Sequence, residues 1–70
     1  MPTGNQRPGV VYFEGFRVFG RSAGGKARLF IQTRISGQWK TVFLIDDQGS
    51  VKIGADIVQA GVFGVNEEPV

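Results

Sequence analysis

The stretch "RLFIQTRISGQWKTVFLIDDQG", residues 28 to 49, alternates apolar and polar side chains on both sides of a Ser-Gly pair. A period of two marks a strand with one face toward a core, and a short polar break carrying Gly marks a hairpin. Leu29, Ile31, Thr33 and Ile35 therefore share one side of the first strand, and Arg28, Phe30, Gln32 and Arg34 the other. "QWKTVFLI" reads as the return strand. What decides the character of the molecule is whether the Arg28 side is a nucleic-acid platform or the outside of a sheet that touches other protein.

Two registers are open. With Ser36-Gly37 as a two-residue turn, Arg34 lies opposite Trp39 and Phe30 opposite Phe43, which gathers three aromatics and two arginines on one face. With Ile35-Ser36-Gly37 as a three-residue loop, Arg34 faces Gln38 and Gln32 faces Lys40, while Trp39, Phe43 and Ile45 join Leu29 and Ile31 inside. A slip of one residue sends every side chain to the other face. The three-residue loop is favoured because it buries Trp39 and Phe43 and exposes Lys40, whereas the two-residue turn buries Lys40 beside aliphatic side chains. It leaves Arg28, Phe30, Gln32, Arg34, Lys40 and Val42 outside, and the expected partner-binding residues are Arg28, Phe30, Gln32, Arg34 and Lys40.

The flanking sequence is also β-like. "VVYFEGFRVFG", from residue 10, is dense in β-branched and aromatic residues, with Gly15 marking a bulge or bend. Val11 and Phe13 share a face before it, and Phe16 and Val18 take over after it. "RSAGGK" reads as a loop, and Asp46-Asp47-Gln48-Gly49 as a turn whose carboxylates cap backbone donors. "SVKIGADI" alternates Val51, Ile53, Ala55 and Ile57 and reads as a strand. A short helix N-capped by Asp56 is the alternative there, opposed by Gly61, the β-branched residues and the short length. Residues 1 to 9, polar and rich in Gly and Pro, read as a flexible arm, and residues 66 to 70 as a polar tail, loose or partner-bound. The expectation is a single all-β domain over residues 10 to 65, a small antiparallel β-sandwich or open barrel of five to six strands.

Composition narrows the chemistry. A chain of 70 residues buries only about 60% of the surface its unfolded form exposes, so its core is thin. With no cysteine and no histidine, disulfides are excluded, and the usual zinc ligands and the commonest nucleophile and base partners are missing. Oligomerisation is the remaining source of extra stability. The net charge of +2 is a weak pull toward nucleic acid. No apolar run approaches a membrane span, and no charged-then-apolar leader opens the chain; a protein without a signal peptide, made in the cytoplasm, is expected.

Two motifs resemble sites but lack an element their chemistry requires. "GRSAGGKA" has the Gly-x4-Gly-Lys core of a phosphate-binding loop, but Ala27 stands where the hydroxyl is required and a strand follows instead of a helix. Asp46, Asp47 and Asp56 lack the alternating oxygen spacing of a calcium loop. Glu14, Glu67 and Glu68 offer no locally held acid/base pair. Neither enzyme activity, metal nor cofactor is expected.

"GKARLFIQTRISGQWKTVFLIDDQGSVKI" resembles the recurrent run of bacterial and phage immunoglobulin-like or fibronectin-type β-sandwich modules. Leu29, Ile31 and Gln32 take the places of their first strand, and Arg34 that of their Arg. Gly37, Trp39, Thr41 and Val42 match the hairpin, and Asp46 and Gly49 the turn. The resemblance covers about the middle half of the chain and implies a sandwich with Trp39 inside. Such modules have about seven strands, more than this chain supplies.

With no leader, it implies a non-enzymatic virion accessory protein that decorates or cements a capsid or tail. Such a protein would bind copies of itself or a larger assembly, in the virion or the host cytoplasm. The alternatives are a small inhibitor of a host enzyme and a single-stranded nucleic-acid-binding protein. The last would use the Arg28, Phe30, Arg34 and Trp39 face, with Arg17, Arg21 and Lys26 on the phosphates.

Overall fold

The computed structural model describes residues 8 to 59 and 64 to 69. Most of the expected N-terminal arm, and residues 60 to 63, lie outside that description. Five strands follow one another: β1 (Val10–Phe13), β2 (Phe16–Ala23), β3 (Lys26–Ile35), β4 (Gln38–Ile45) and β5 (Val51–Lys52). They pair antiparallel in chain order as one open sheet, the all-β architecture expected from the alternation. One helical turn, α1 (Ala55–Val58), follows β5.

The sheet is shaped by three two-residue turns. Phe13 pairs with Phe16, Ala23 with Lys26 and Ile35 with Gln38, leaving Glu14-Gly15, Gly24-Gly25 and Ser36-Gly37 to reverse the chain. All six turn residues have positive φ, the backbone of a type I′ turn, whose twist matches that of the strands it joins. The bend expected at Gly15 is thus a complete hairpin, and the "RSAGGK" loop contracts to two glycines. A fourth turn is held by Asp46, whose Oδ1 accepts hydrogen bonds from the amides of Gln48 and Ser50, both at 2.9 Å. Those bonds stabilise the ionised carboxylate and hold its pKa below the ordinary 3.8.

Two expectations are overturned here. The Ser36-Gly37 turn takes the two-residue register, with Arg34 opposite Trp39 and Thr33 opposite Lys40. Val42 is then an extra residue in β4, so that Gln32 pairs with Thr41 but Ile31 with Phe43 and Phe30 with Leu44. The bulge turns Phe43 to the side away from Phe30 while Trp39 stays opposite Arg34, a combination that neither regular register contains. The strand expected through Ile57 stops at Lys52, and α1 replaces it. Its N-cap is Gly54 rather than Asp56, which sits in the first turn where a carboxylate favours the exposed amides.

The core lies on one side of the sheet. Val10, Phe19, Phe30 and Leu44 form a row across β1 to β4, with the Phe19 and Phe30 rings stacked at 5.2 Å. Ile57 of α1 and Val65 cover the row. The C-terminal stretch, expected to be loose or partner-bound, is built into the fold. The Thr41 amide donates to the Val65 carbonyl at 2.7 Å, Arg21 pairs with the Glu67 carboxylate, and Pro69 is buried.

Candidate protein-docking face

The two faces of the sheet differ because the chain covers only one of them. On the covered face a polar row runs beside the apolar one. Arg17 Nε donates to Gln32 Oε1 at 2.7 Å. Gln32 Nε2 donates to Thr41 Oγ1 at 2.9 Å and to the Glu67 carbonyl at 2.6 Å. Phe30 and Gln32 are both 0% exposed. The amide of Gln32 can be buried because its oxygen and nitrogen are both used, and the carbonyl from the C-terminal stretch completes the set.

The structure divides the expected partner-binding set between the two faces. Phe30 and Gln32 face the interior, and Arg28 is half-buried on the same side. Arg34 is exposed, with its guanidinium 5.0 Å from the Trp39 ring centroid and its Nη1 donating to the Gly37 carbonyl at 3.3 Å. Lys40 alone of the five points to the opposite face, beside Thr33.

The set considered for nucleic acid is also dispersed. Arg17 is buried, with its guanidinium 4.7 Å from the centre of the Trp39 ring. Arg21 is engaged by Glu67, and Lys26 is exposed at the distant Gly24-Gly25 turn. Trp39 is half-buried, with Tyr12 edge-on at 6.2 Å and two guanidiniums over its ring. Cation–π contacts of this kind compete with a base for the ring.

The uncovered face is apolar over most of its extent. Three cross-strand rows build it: Phe13, Phe16, Thr33 and Lys40; Val11, Val18, Ile31 and Phe43; and Gly20, Leu29, Ile45 and Val51. Ile35 extends it toward the Ser36-Gly37 turn. Seven of these side chains, Val11, Phe13, Phe16, Leu29, Ile35, Phe43 and Val51, are 38% to 68% exposed. Lys40 is the only charged side chain that the five strands place here.

Scattered exposed apolar residues are ordinary, but a contiguous patch spanning five strands is not. Sequence alternation did group Leu29, Ile31 and Ile35 together, and paired Val11 and Phe13 with Phe16 and Val18. What it could not reveal was that the C-terminal stretch would cover the other side.

Among the described residues, no group of three or more Asp or Glu side chains is placed to hold a metal ion. No helix among them is long and apolar enough to cross a membrane. No protein-family model, curated protein or solved structure matches the chain. What the open face can do is therefore judged from its own geometry.

Proposed function

We propose that this protein is a non-enzymatic protein-interaction module whose working surface is the open face of its sheet. The observation that carries the reading is the run of seven exposed apolar side chains from Val11 on β1 to Val51 on β5. Water contact over such a patch is unfavourable by about 25 cal/mol per Å², and covering it with protein is the ordinary way proteins relieve it. A narrower form of the proposal, an accessory subunit decorating a capsid or tail in a virion, draws its support from the hairpin resemblance. A nucleic-acid role has less to work with, because Phe30 is interior and the open face carries one cation.

The test uses the full chain and an environment-sensitive dye such as bis-ANS. Strong dye fluorescence on the folded protein, reduced by Phe13→Ser and Phe43→Ser with little change in unfolding midpoint, is expected if these side chains serve an interface rather than the internal core. Self-association would hide the face, so the dye is titrated into the most dilute sample that fluorescence allows. A loss of several kcal/mol on Phe13→Ser would instead place that ring in the internal core and count against the reading. Single-stranded oligonucleotide should leave Trp39 emission unchanged, and salt-sensitive quenching would favour the nucleic-acid alternative.

A further inference from the structure

We infer that the occupant of the open face is a second copy of the same chain, packed face to face so that two five-stranded sheets close into a sandwich. The inference rests on the docking-face reading and names its partner. Three observations converge on it.

The first is area. The seven exposed side chains together present on the order of 650 Å², taking about 150–200 Å² for each when fully exposed. Half-buried Val18, Ile31, Thr33 and Ile45 border them and add to it. A standard interface takes about 800 Å² from each partner, so this single face is about the size a stable dimer needs.

The second is charge. Within the strands the face offers a single charge, Lys40, and no carboxylate, so charge contributes little to the choice of partner. Its match is another apolar, uncharged surface of the same extent and twist. Two identical twisted sheets meet that requirement, packing about 10 Å apart with their strands within about 30° of each other. Lys40 lies in the outer of the three rows, where its stem can rest on apolar surface while its ammonium reaches water.

The third is the distribution of apolar side chains. The buried hydrophobic side chains among the described residues are Phe19, Phe30, Leu44 and Ile57, fewer than the seven left exposed opposite. An isolated domain would keep its smaller apolar set inside. Face-to-face pairing places the larger set in a second core between the sheets, and the pairing is isologous, so it closes at two copies.

Sedimentation equilibrium of the full chain, with Phe43→Asp, Val51→Thr and the turn variant Lys26→Glu, tests this. A dimer is expected whose dissociation constant rises about a hundredfold or more with Phe43→Asp and detectably with Val51→Thr, while Lys26→Glu leaves it unchanged. The thermal midpoint of the wild type should rise with protein concentration, and that of Phe43→Asp should not. Circular dichroism and Trp39 emission show whether Phe43→Asp remains folded, and Val51→Thr supplies a milder change if it does not.

A dimer indifferent to both face substitutions would overturn the inference, because another surface would then hold it. A monomer that binds bis-ANS on this face would overturn the second copy as partner and leave the docking reading standing. A monomer that binds no dye would remove both.

Discussion

Gln32, in the middle strand, accepts a hydrogen bond from Arg17 of β2 and passes hydrogen bonds on to Thr41 of β4 and to the Glu67 carbonyl. One side chain thereby links three strands to the C-terminal stretch. Replacing Gln32 by Leu removes an acceptor of a buried arginine and the donor to two oxygens. The expected loss is about 2–4 kcal/mol, a large share of what a domain this small possesses. A urea unfolding curve reads it directly, and an unchanged midpoint would show that the row contributes little. Arg17→Met combined with Gln32→Leu should cost less than the sum of the two single changes, because apolar groups would then replace both partners.

The same row explains how far the fold was legible in the sequence. Alternation locates the β3 and β4 strands and groups Leu29, Ile31 and Ile35 on one face, and the Ser36-Gly37 pair marks a hairpin. But Glu14-Gly15 reads as a bend within one strand where the chain reverses, and Trp39 and Lys40 fall on the faces opposite to those expected. The identity of the covered face was not legible by the same means. Arg28, Gln32 and Arg34 read as an exterior, and the interior placement of Gln32 is favourable because Arg17, Thr41 and a carbonyl 35 residues away at Glu67 together satisfy its amide. Local pattern holds no information about that contact. The register at Ser36-Gly37 departs from the expected one for a related reason: placing Lys40 among apolar side chains is unfavourable only where that face is the core. Once the face is open to solvent, the objection disappears.

The C-terminal stretch should be indispensable as backbone and much less so as charge. Glu67→Gln removes a partly exposed ion pair with Arg21, and solvent screening limits the expected cost to below about 1 kcal/mol. Deleting residues 64 to 70 strips Val65 from the core and leaves the Thr41 amide and Gln32 without their carbonyls. The truncated chain is expected to lose cooperative unfolding, followed by near-UV circular dichroism. A truncated chain as stable as the full one would mean that Val65 and Glu67 add nothing to the core.

Asp46 predicts a pH dependence of defined sign. Its folded-state pKa lies below the ordinary value because the Ser50 and Gln48 amides, chiefly, donate to the ionised carboxylate. The stabilisation is therefore fully present above the unfolded-state value near 3.8 and is lost as pH falls through the lower folded-state value. Below both values the wild type and Asp46→Ala should converge in the part of their difference that depends on charge. A carboxyl-carbon NMR titration supplies the site-specific check, and a midpoint for Asp46 at or above 3.8 would contradict the turn geometry.

Glu14 offers a route to a more stable protein. It holds the first position of the Glu14-Gly15 turn at φ 48°, a left-handed conformation that L-residues other than Asn and Asp adopt reluctantly, and its side chain is exposed. Asn-Gly is the preferred pair for a type I′ turn. Glu14→Asn should accordingly stabilise the hairpin by about 0.5–1 kcal/mol, raising the midpoint of thermal unfolding by several degrees for a domain of this size. The turn lies at one end of the open face, beside Phe13 and Phe16, so a firmer hairpin also fixes the two rings that border it. Glu14→Asn should leave the face-to-face dimer intact or slightly tighter. A thermal midpoint unchanged or lowered by Glu14→Asn would show that the turn does not carry the strain assigned to it.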